Sequence, residues 1–537
     1  MPIRMTDDPQ QDQPRYEDDN GGSGGGFNSG GGGGFGLLLP LLFGLFRSKA
    51  GLGLLVVAGI AYFVLGRGGC TGAGPVGDNS GLLKTGGYLD PRQFARASIY
   101  EPLAEDNTKN PLPESANLQK FAPEVGNQGQ QGSCVAWSSA YAARSILEAA
   151  RSGQAGNQVR FSPSFLYNQI GLDGCDGSYI ERAMEFMTRQ GSVPYADFPY
   201  SDKDCSNQPD QRLMQEAGQY KMRGFNRLSD GDRTDKLDLT ALKQHLAQGA
   251  PVAIGMMVGP SFMQEMMGKD LWQPSGDDAS MQGFGGHALC VVGYDDAKYG
   301  GSFLLMNSWG PQWGTNGFAW VQYPVFRHFV KEAYGLEPMQ AAGAAASAAF
   351  SCEIGLVPVT FGQGNKVITN GYISLQSTAA GHFNTVMPVK TGQRFKVEVK
   401  NSGECYIYIF GRETDGTSYT LFPYPSAADP AKSNYSPFCG IAGYRLFPRD
   451  KSLAPDSIGR RDMIEVVVSR KPLDWYRMNT EVSRNPTSDY AGRWTSELSD
   501  RLNKSVTFGS NATGTITFSA SPGGNDIVSC MVEIDKK

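Results

Sequence analysis

The chain has 537 residues, with a formal net charge of -5 and a pI near 5.6, which is too long for one ordinary domain and enough to bury two cores, so two or three modules are expected. The charge balance leaves no basic footprint for nucleic acid and no like-charge run long enough to serve as an interaction tail. Only four histidines occur (His245, His287, His328, His382), with no HExxH, CxxC pair or EF-hand loop, so neither a protein metal site nor any other cofactor is expected.

Residues 1–35 are polar and then glycine-saturated ("GGSGGGFNSGGGGGFG"). That composition cannot bury enough apolar surface to order itself and reads as a disordered tail. Residues 36–66 follow with "LLLPLLFGLF", a basic pause at Arg47 and Lys49, and "AGLGLLVVAGIAYFVLG". The last run is about 17 residues without a charge, near the lower limit for a spanning helix, and the pair reads as one uncleaved membrane anchor. A signal peptide is the plainer alternative, but almost fifty charged and glycine-rich residues make a poor leader. "LGRGGC" up to Cys70 loosely suggests a lipoprotein site, with Arg67 where an aliphatic residue is wanted. Arg47 and Lys49 favour a single pass with the bulk of the chain extracytoplasmic, whereas Arg67 and Lys84 argue the other way.

Residues 67–111 are rich in Gly, Pro, Asp and Asn and read as a linker. From residue 134 apolar residues recur at helical spacing (Val135, Ala136, Ala140, Ala143, Leu147), and "YIERAMEFMTRQG" and "LTALKQHLAQGAP" repeat the pattern. The texture then changes to short apolar strands, "PVAIGMMV", "HALCVVGYDD", "GSFLLMNSWG" and "GFAWVQ". A helical half and a β-rich half therefore share one domain, 112–337. A small-residue linker at 338–350 leads into 351–537, which alternates in strand fashion with a hairpin at Asp415-Gly416.

A cysteine attacks a carbonyl well only as thiolate, so it needs an imidazolium, a helix N-terminus, or both. Cys134, in "NQGQQGSCVAWSSAYAARSILEA", sits where a helix pattern begins. His287 follows "GFGG", which leaves space beside a ring, and opens a strand; His245 lies on an amphipathic helix and is expected to face solvent. Either residue alone reads as structural. Asn307 in "MNSWGPQWGTNGFAW" can orient an imidazole, Trp309 can shield that bond, and Gln128 can aim its amide at a developing oxyanion together with the Cys134 backbone N–H.

Taken together, Gln128, "GSCVAWS", "GHALCVVGY" and "NSWGPQWGTNGF" resemble the papain-like cysteine peptidases over roughly residues 112–337. The resemblance implies an α+β fold with a helical lobe and a β-barrel-like lobe. It implies Cys134 as nucleophile, His287 as base and acid, Asn307 as orienter, Gln128 as oxyanion donor and Trp309 as shield. "GCDGSYIERAMEF" is similar to the family's glycine-rich substrate strip, which puts Asp176, Gly177 and Ser178 where an extended peptide would run antiparallel. Gln131 stands where the family commonly has a cysteine, so its usual partnership with Cys175 is lost. Cys175 and Cys205 remain as a pair, or as two reduced thiols, and Cys290 reads as a core residue. No helical propeptide signature precedes the domain, and a tethered enzyme that is born active, or restrained by something else, is expected.

The C-terminal part resembles a small bacterial β domain of unknown function appended to peptidase and signalling modules, expected to be all-β and to recognise an envelope partner. Its Cys352, Cys405, Cys439 and Cys530 are compatible with two disulfides. The whole chain reads as a membrane-anchored, extracytoplasmic cysteine endopeptidase of the bacterial inner membrane, acting on peptide or protein substrates. A transpeptidase using the same thioester, a non-catalytic peptide-binding scaffold, and a peptidase of reversed topology with all these thiols reduced are the alternatives.

Overall fold

The structure, a computed structural model, describes residues 3–9, 84–106, 108–339, 350–365, 367–486, 489–521 and 525–537. The expected anchor at 36–66, most of the glycine-rich tail and most of the 338–350 linker lie outside the described residues. Among the described residues no helix is long and apolar enough to cross a membrane. The tail expectation fails at its very start: Ile3–Asp7 is a strand, β1, because Ile3 and Met5 alternate toward an apolar core. The linker expectation fails from residue 84 onward. Backbone bonds such as Ile99 N–H to Asn434 O (2.6 Å) and Tyr100 N–H to Arg227 O (3.1 Å) tie that stretch to both folded domains.

The first domain is built around one helix, α1, at 134–152. It starts at Cys134–Ala136, runs through a π-helical stretch at Trp137–Arg144 and closes as Ser145–Ser152. All residues from 134 to 148 are buried, and the recurrent Ala and Ser let neighbouring chains approach its backbone on every side. Arg144 is tolerated inside because Glu148 pairs with it at 3.0 Å. Gly153, at φ 72°, ends the helix in the left-handed conformation that favours glycine.

The β half is a seven-stranded antiparallel sheet. Its strands are β2 (Ser115–Asn117), β3 (Phe225–Arg227), β4 (Val252–Val258), β5 (Gly285–Asp295), β6 (Ser302–Met306), β7 (Phe318–Gln322) and β8 (Val330–Leu336). The order is β3-β8-β4-β5-β6-β7, with β2 also on β5. The central strands read as continuous apolar runs because both faces are covered. Pairing of Met256 with His287 and of Cys290 with Met306 fixes where His287 stands relative to the end of β6, which leads into Asn307. Cys290 is a buried core residue, as expected.

Helix α2 (Leu239–Ala247) packs on this sheet, capped by Asp238 accepting from Ala241 N–H at 2.9 Å. The expectation of a solvent-facing His245 is overturned. Its ring is buried, its Nδ1 lies 2.9 Å from Ala241 O, and it meets the Tyr100 ring at 4.5 Å. The amphipathic helix simply has both faces covered once residues 98–103 dock on it.

The C-terminal domain stacks an eight-stranded sheet on a seven-stranded one. The first contains β1, β9 (Phe350–Phe361), β10 (Phe395–Asn401) and, later in the chain, β12 (Lys451–Pro455). The second is centred on β11 (Cys405–Arg412), β13 (Arg461–Ser469) and β14 (Ile527–Asp535). On β11, Ile407 and Ile409 face the sandwich core, while Tyr408 and Phe410 face two helices, Trp475–Arg484 and Tyr490–Leu498. The domain is thus not all-β: the helices cover an outer sheet face too apolar to meet water. Nor do its cysteines pair. Cys352, Cys405, Cys439 and Cys530 are free and buried, acting as small core residues. Cys175 and Cys205 do form a disulfide, with Cα atoms 5.9 Å apart.

Burial pushes His245 down to about 4 from an ordinary 6.5, against the pull of the Ala241 carbonyl. Between those values the unfolded chain binds the extra proton, so stability is full above pH 6.5 and falls as pH drops toward 4. At about 1.4 kcal/mol per pH unit the limit is about 3 kcal/mol. His245→Gln is expected to flatten that part of a denaturant-melting profile against pH; an unchanged slope would refute the assignment.

Candidate active site

The turn before α1 is held in a fixed shape by its own polar groups. Gln128 N–H donates to Ser308 O at 2.8 Å, and Asn127 bridges Trp309 across the two lobes. The Tyr200 hydroxyl lies 2.6 Å from Ser133 Oγ and donates to Gln128 O at 2.8 Å. The turn therefore delivers Cys134 to the first position of α1, where the helix dipole favours an anion. Its Sγ accepts from the Ala288 N–H at 3.4 Å, which sets the thiol beside the residue that follows His287.

His287 Nε2 lies 2.8 Å from Asn307 Oδ1. That oxygen also accepts from Ser308 N–H at 2.8 Å, which fixes the amide's orientation, so Nε2 must carry the ring proton. Nδ1 is then the bare nitrogen, and it is buried without a hydrogen-bond partner. The Trp309 indole stacks on the imidazole at 4.3 Å and 19°, keeping water from the Asn307 contact. Gln128 completes the group: Oε1 accepts from Ser308 Oγ at 2.7 Å, which turns Nε2 toward the cleft. The structure thus brings Gln128, Cys134, His287, Asn307 and Trp309 together.

The cleft is occupied by the chain itself. The carbonyl of Lys84 accepts from both Gln128 Nε2 and Trp309 Nε1 at 2.9 Å. Gly86 and Gly87 N–H donate to Gly286 O, Ser178 N–H donates to Gly86 O at 2.9 Å, and Tyr88 N–H donates to Ser178 O at 3.0 Å. Residues 84–90 therefore form a strap between the lobes. It uses all three substrate-strip positions, with Tyr88 hydroxyl on Asp176 at 3.0 Å and the bare Gly177 facing Gly86 O. A Cβ on Gly86 would fall 2.3 Å from Gly132 O, and one on Gly286 2.0 Å from Gly87 O. Of the two expected states, born active or restrained by something else, the closed cleft fits the second: the space is closed by two glycines. Their bridge to Ser178 is parallel, opposite to the antiparallel run expected of a substrate.

Leu89 fills a pocket beside the strip. A Cβ built on Gly255 would meet its Cδ2 at 2.4 Å, Ile180 Cδ1 at 3.4 Å and Glu332 Cβ at 3.5 Å. Glu332 Oε1 accepts from Asp90 N–H at 2.8 Å, and burial pushes its carboxyl up to about 7. Tyr88, Leu89, Tyr200 and Glu332 were not singled out from sequence, and Lys84 only as a charge beyond the apolar run. The strap is read by backbone contacts, and the only local signal is the paired Gly86-Gly87.

In this closed state burial pushes the Cys134 thiol up to about 12, against the backbone N–H groups of Ala288 and Val135. Burial likewise pushes His287 down to about 4, against the Asn307 bond. Both directions favour a neutral thiol beside a neutral imidazole, since a charge pair here would have no water to solvate it.

Residues 112–334 match the family model described as papain family cysteine protease. Cathepsin K of Mus musculus is 28% identical over 242 residues, covering 44% of this chain and 66% of the relative. Cathepsin L2 of Homo sapiens is 27% identical over 248 residues, covering 43% and 66%. The chain thus spans just under two thirds of the length of these curated relatives. Xylellain, a cysteine protease from Xylella fastidiosa, aligns at 23% identity and a TM-score of 0.38, covering 49% of this chain and 97% of that one.

Gly86→Ala places a methyl against Gly132 O at a φ of +149°, and is expected to expel the strap. Alkylation of Cys134 by iodoacetamide at neutral pH should then rise by about tenfold or more, as freer water access restores thiolate. Equal rates in the two proteins would show that the strap does not control the thiol.

Proposed function

Residues 112–334 belong to the papain family of cysteine proteases, and on that premise we propose that the chain is a latent cysteine endopeptidase whose cleft is closed by residues 84–90. The observation that carries the reading is a histidine with one nitrogen tied to Asn307 at 2.8 Å and the other unpartnered, with a helix-start thiol held against the following residue's N–H.

With the strap displaced, water enters and proton transfer from Cys134 to His287 Nδ1 becomes favourable. The thiolate attacks the peptide carbonyl, forming a C–S bond. Gln128 Nε2, released from Lys84 O, and the Cys134 N–H hold the oxyanion. His287 returns its proton to the departing amine as the C–N bond breaks, then takes one from the water that hydrolyses the thioester. Asn307 keeps the ring in place through both half-reactions. The strap is not itself cut, on this reading, because its parallel run presents its carbonyls in the order opposite to a substrate's.

Substrates are extended peptides lying antiparallel on residues 176–178, with a leucine-sized apolar side chain in the Leu89 pocket. Membrane association through residues 36–66, an extracytoplasmic site and an envelope partner for the C-terminal domain complete the proposal; they rest on the apolar runs and the family resemblance of that domain.

The test is labelling of the Gly86→Ala chain with a peptidyl epoxide, alone and combined with Cys134→Ala or His287→Ala. Labelling that needs both residues supports the reading. A folded Gly86→Ala protein that takes no label while iodoacetamide still reaches Cys134 would favour a peptide-binding scaffold. In the Gly86→Ala background, Gly255→Phe, which fills the pocket, should cut kcat/KM on leucine-bearing peptides by about tenfold or more, about 1.4 kcal/mol, with iodoacetamide reactivity equal to that of Gly86→Ala alone. An unaltered preference would exclude that pocket from recognition.

A further inference from the structure

The second edge in the molecule that the chain closes with its own backbone lies in the C-terminal domain. Strand β12 pairs with β10 through a single residue pair, Leu453 with Phe395. Its real ladder is with β1: Ile3, Arg4, Met5, Thr6 and Asp7 stand opposite Pro455, Ala454, Leu453, Ser452 and Lys451. Ile3 is fully buried in the sandwich core. Without β1, the backbone of β12 loses most of its partners and an apolar slot opens beneath it.

Beside the ladder is a cationic pocket. The Lys396 side chain is 1% exposed, and its ammonium lies 2.6 Å from Asp8 Oδ2, whose own side chain is 6% exposed. Lys396 also donates to the Pro448, Arg449 and Lys451 carbonyls. Ser452 Oγ donates to Asp8 Oδ1 at 2.6 Å, and Arg394 donates to Asp7 O at 3.0 Å and approaches Asp8 Oδ1 at 3.4 Å. Asp8 is the carboxylate directly paired with this buried lysine, and it comes from the other end of the sequence. An amine so enclosed needs a counter-charge, so the pocket is matched to an acidic residue at the end of an entering strand.

We propose that the β12 edge, together with Lys396 and Arg394, is a strand-accepting site of the C-terminal domain, built for an extended apolar-x-apolar-x-x-acidic segment and filled by residues 3–8 of the same chain. The N-terminus and the cleft domain then lie on one side of any membrane. A single pass between the two is not compatible with this pairing.

Asp7 and Lys451 are directly opposed and outward-facing, with side chains 84% and 50% exposed and their charges 3.2 Å apart. They therefore tolerate replacement. The full-length chain carrying Asp7→Cys and Lys451→Cys, in membranes from producing cells, is treated with a short bis-maleimide, with each single variant as control. The expected result is a 7–451 linked peptide recovered from the monomer band, with both sites labelled by a membrane-impermeant maleimide from the same side. A link found only in a dimer would assign the strand to a second copy and overturn the own-chain assignment. No link, or labelling from opposite sides, would overturn the proposal altogether. As a second measurement, Asp8→Asn in the full chain should speed amide hydrogen exchange at 451–454 by about tenfold or more; unchanged exchange there would also refute it.

Discussion

The carbonyl of Lys84, held between Gln128 Nε2 and Trp309 Nε1, is the contact on which the rest of the cleft depends. While it stays there, the amide that would receive an oxyanion is engaged by a neutral carbonyl. The strap behind it keeps water from Cys134 and His287, and dry surroundings favour the uncharged pair over thiolate and imidazolium. One short segment thus sets both the steric and the electrostatic state of the site. Asn307, Ser308 and the start of α1 fix where His287 and Cys134 stand in this closed state, and on the proposed reading displacement of the strap is the switch.

The parts of this site that were legible in the sequence are those whose chemistry needs particular side chains. Cys134, His287, Asn307 and Gln128 stood out because their residue types occur together in order, and the two halves of the domain followed from a change of hydrophobic period. The strap was not legible. Gly86 and Gly87 enter a crevice through backbone hydrogen bonds, and the sequence trace of such recognition is the absence of side chains, which equally describes a tether. Strand β1 was hidden for a related reason: five residues inside a polar, glycine-rich tail carry too little periodicity, and their partner β12 is distant in sequence. His245 was misread because an isolated helix pattern does not reveal a second covering layer. The C-terminal helices were missed because the strand alternation around them dominated the reading.

The strap and β1 have a common physical character. In each, an N-terminal segment supplies backbone partners to a surface that would otherwise expose unpaired N–H and C=O groups or an unneutralised charge. Residues 98–106 and 108–110 add a third attachment, where Arg445 donates to Glu101 O at 3.0 Å and Lys109 pairs with Glu398 at 2.6 Å. The cleft domain and the C-terminal domain are therefore joined by the very stretch that continues from the strap.

The most direct test of this account is the protonation state of His287, read by NMR of ring-labelled histidine with the signal assigned through His287→Ala. In the intact chain the ring is predicted to remain neutral at pH 6, and in the Gly86→Ala chain to be an imidazolium at that pH. An imidazolium in the intact chain would contradict the claim that the strap holds the pair uncharged.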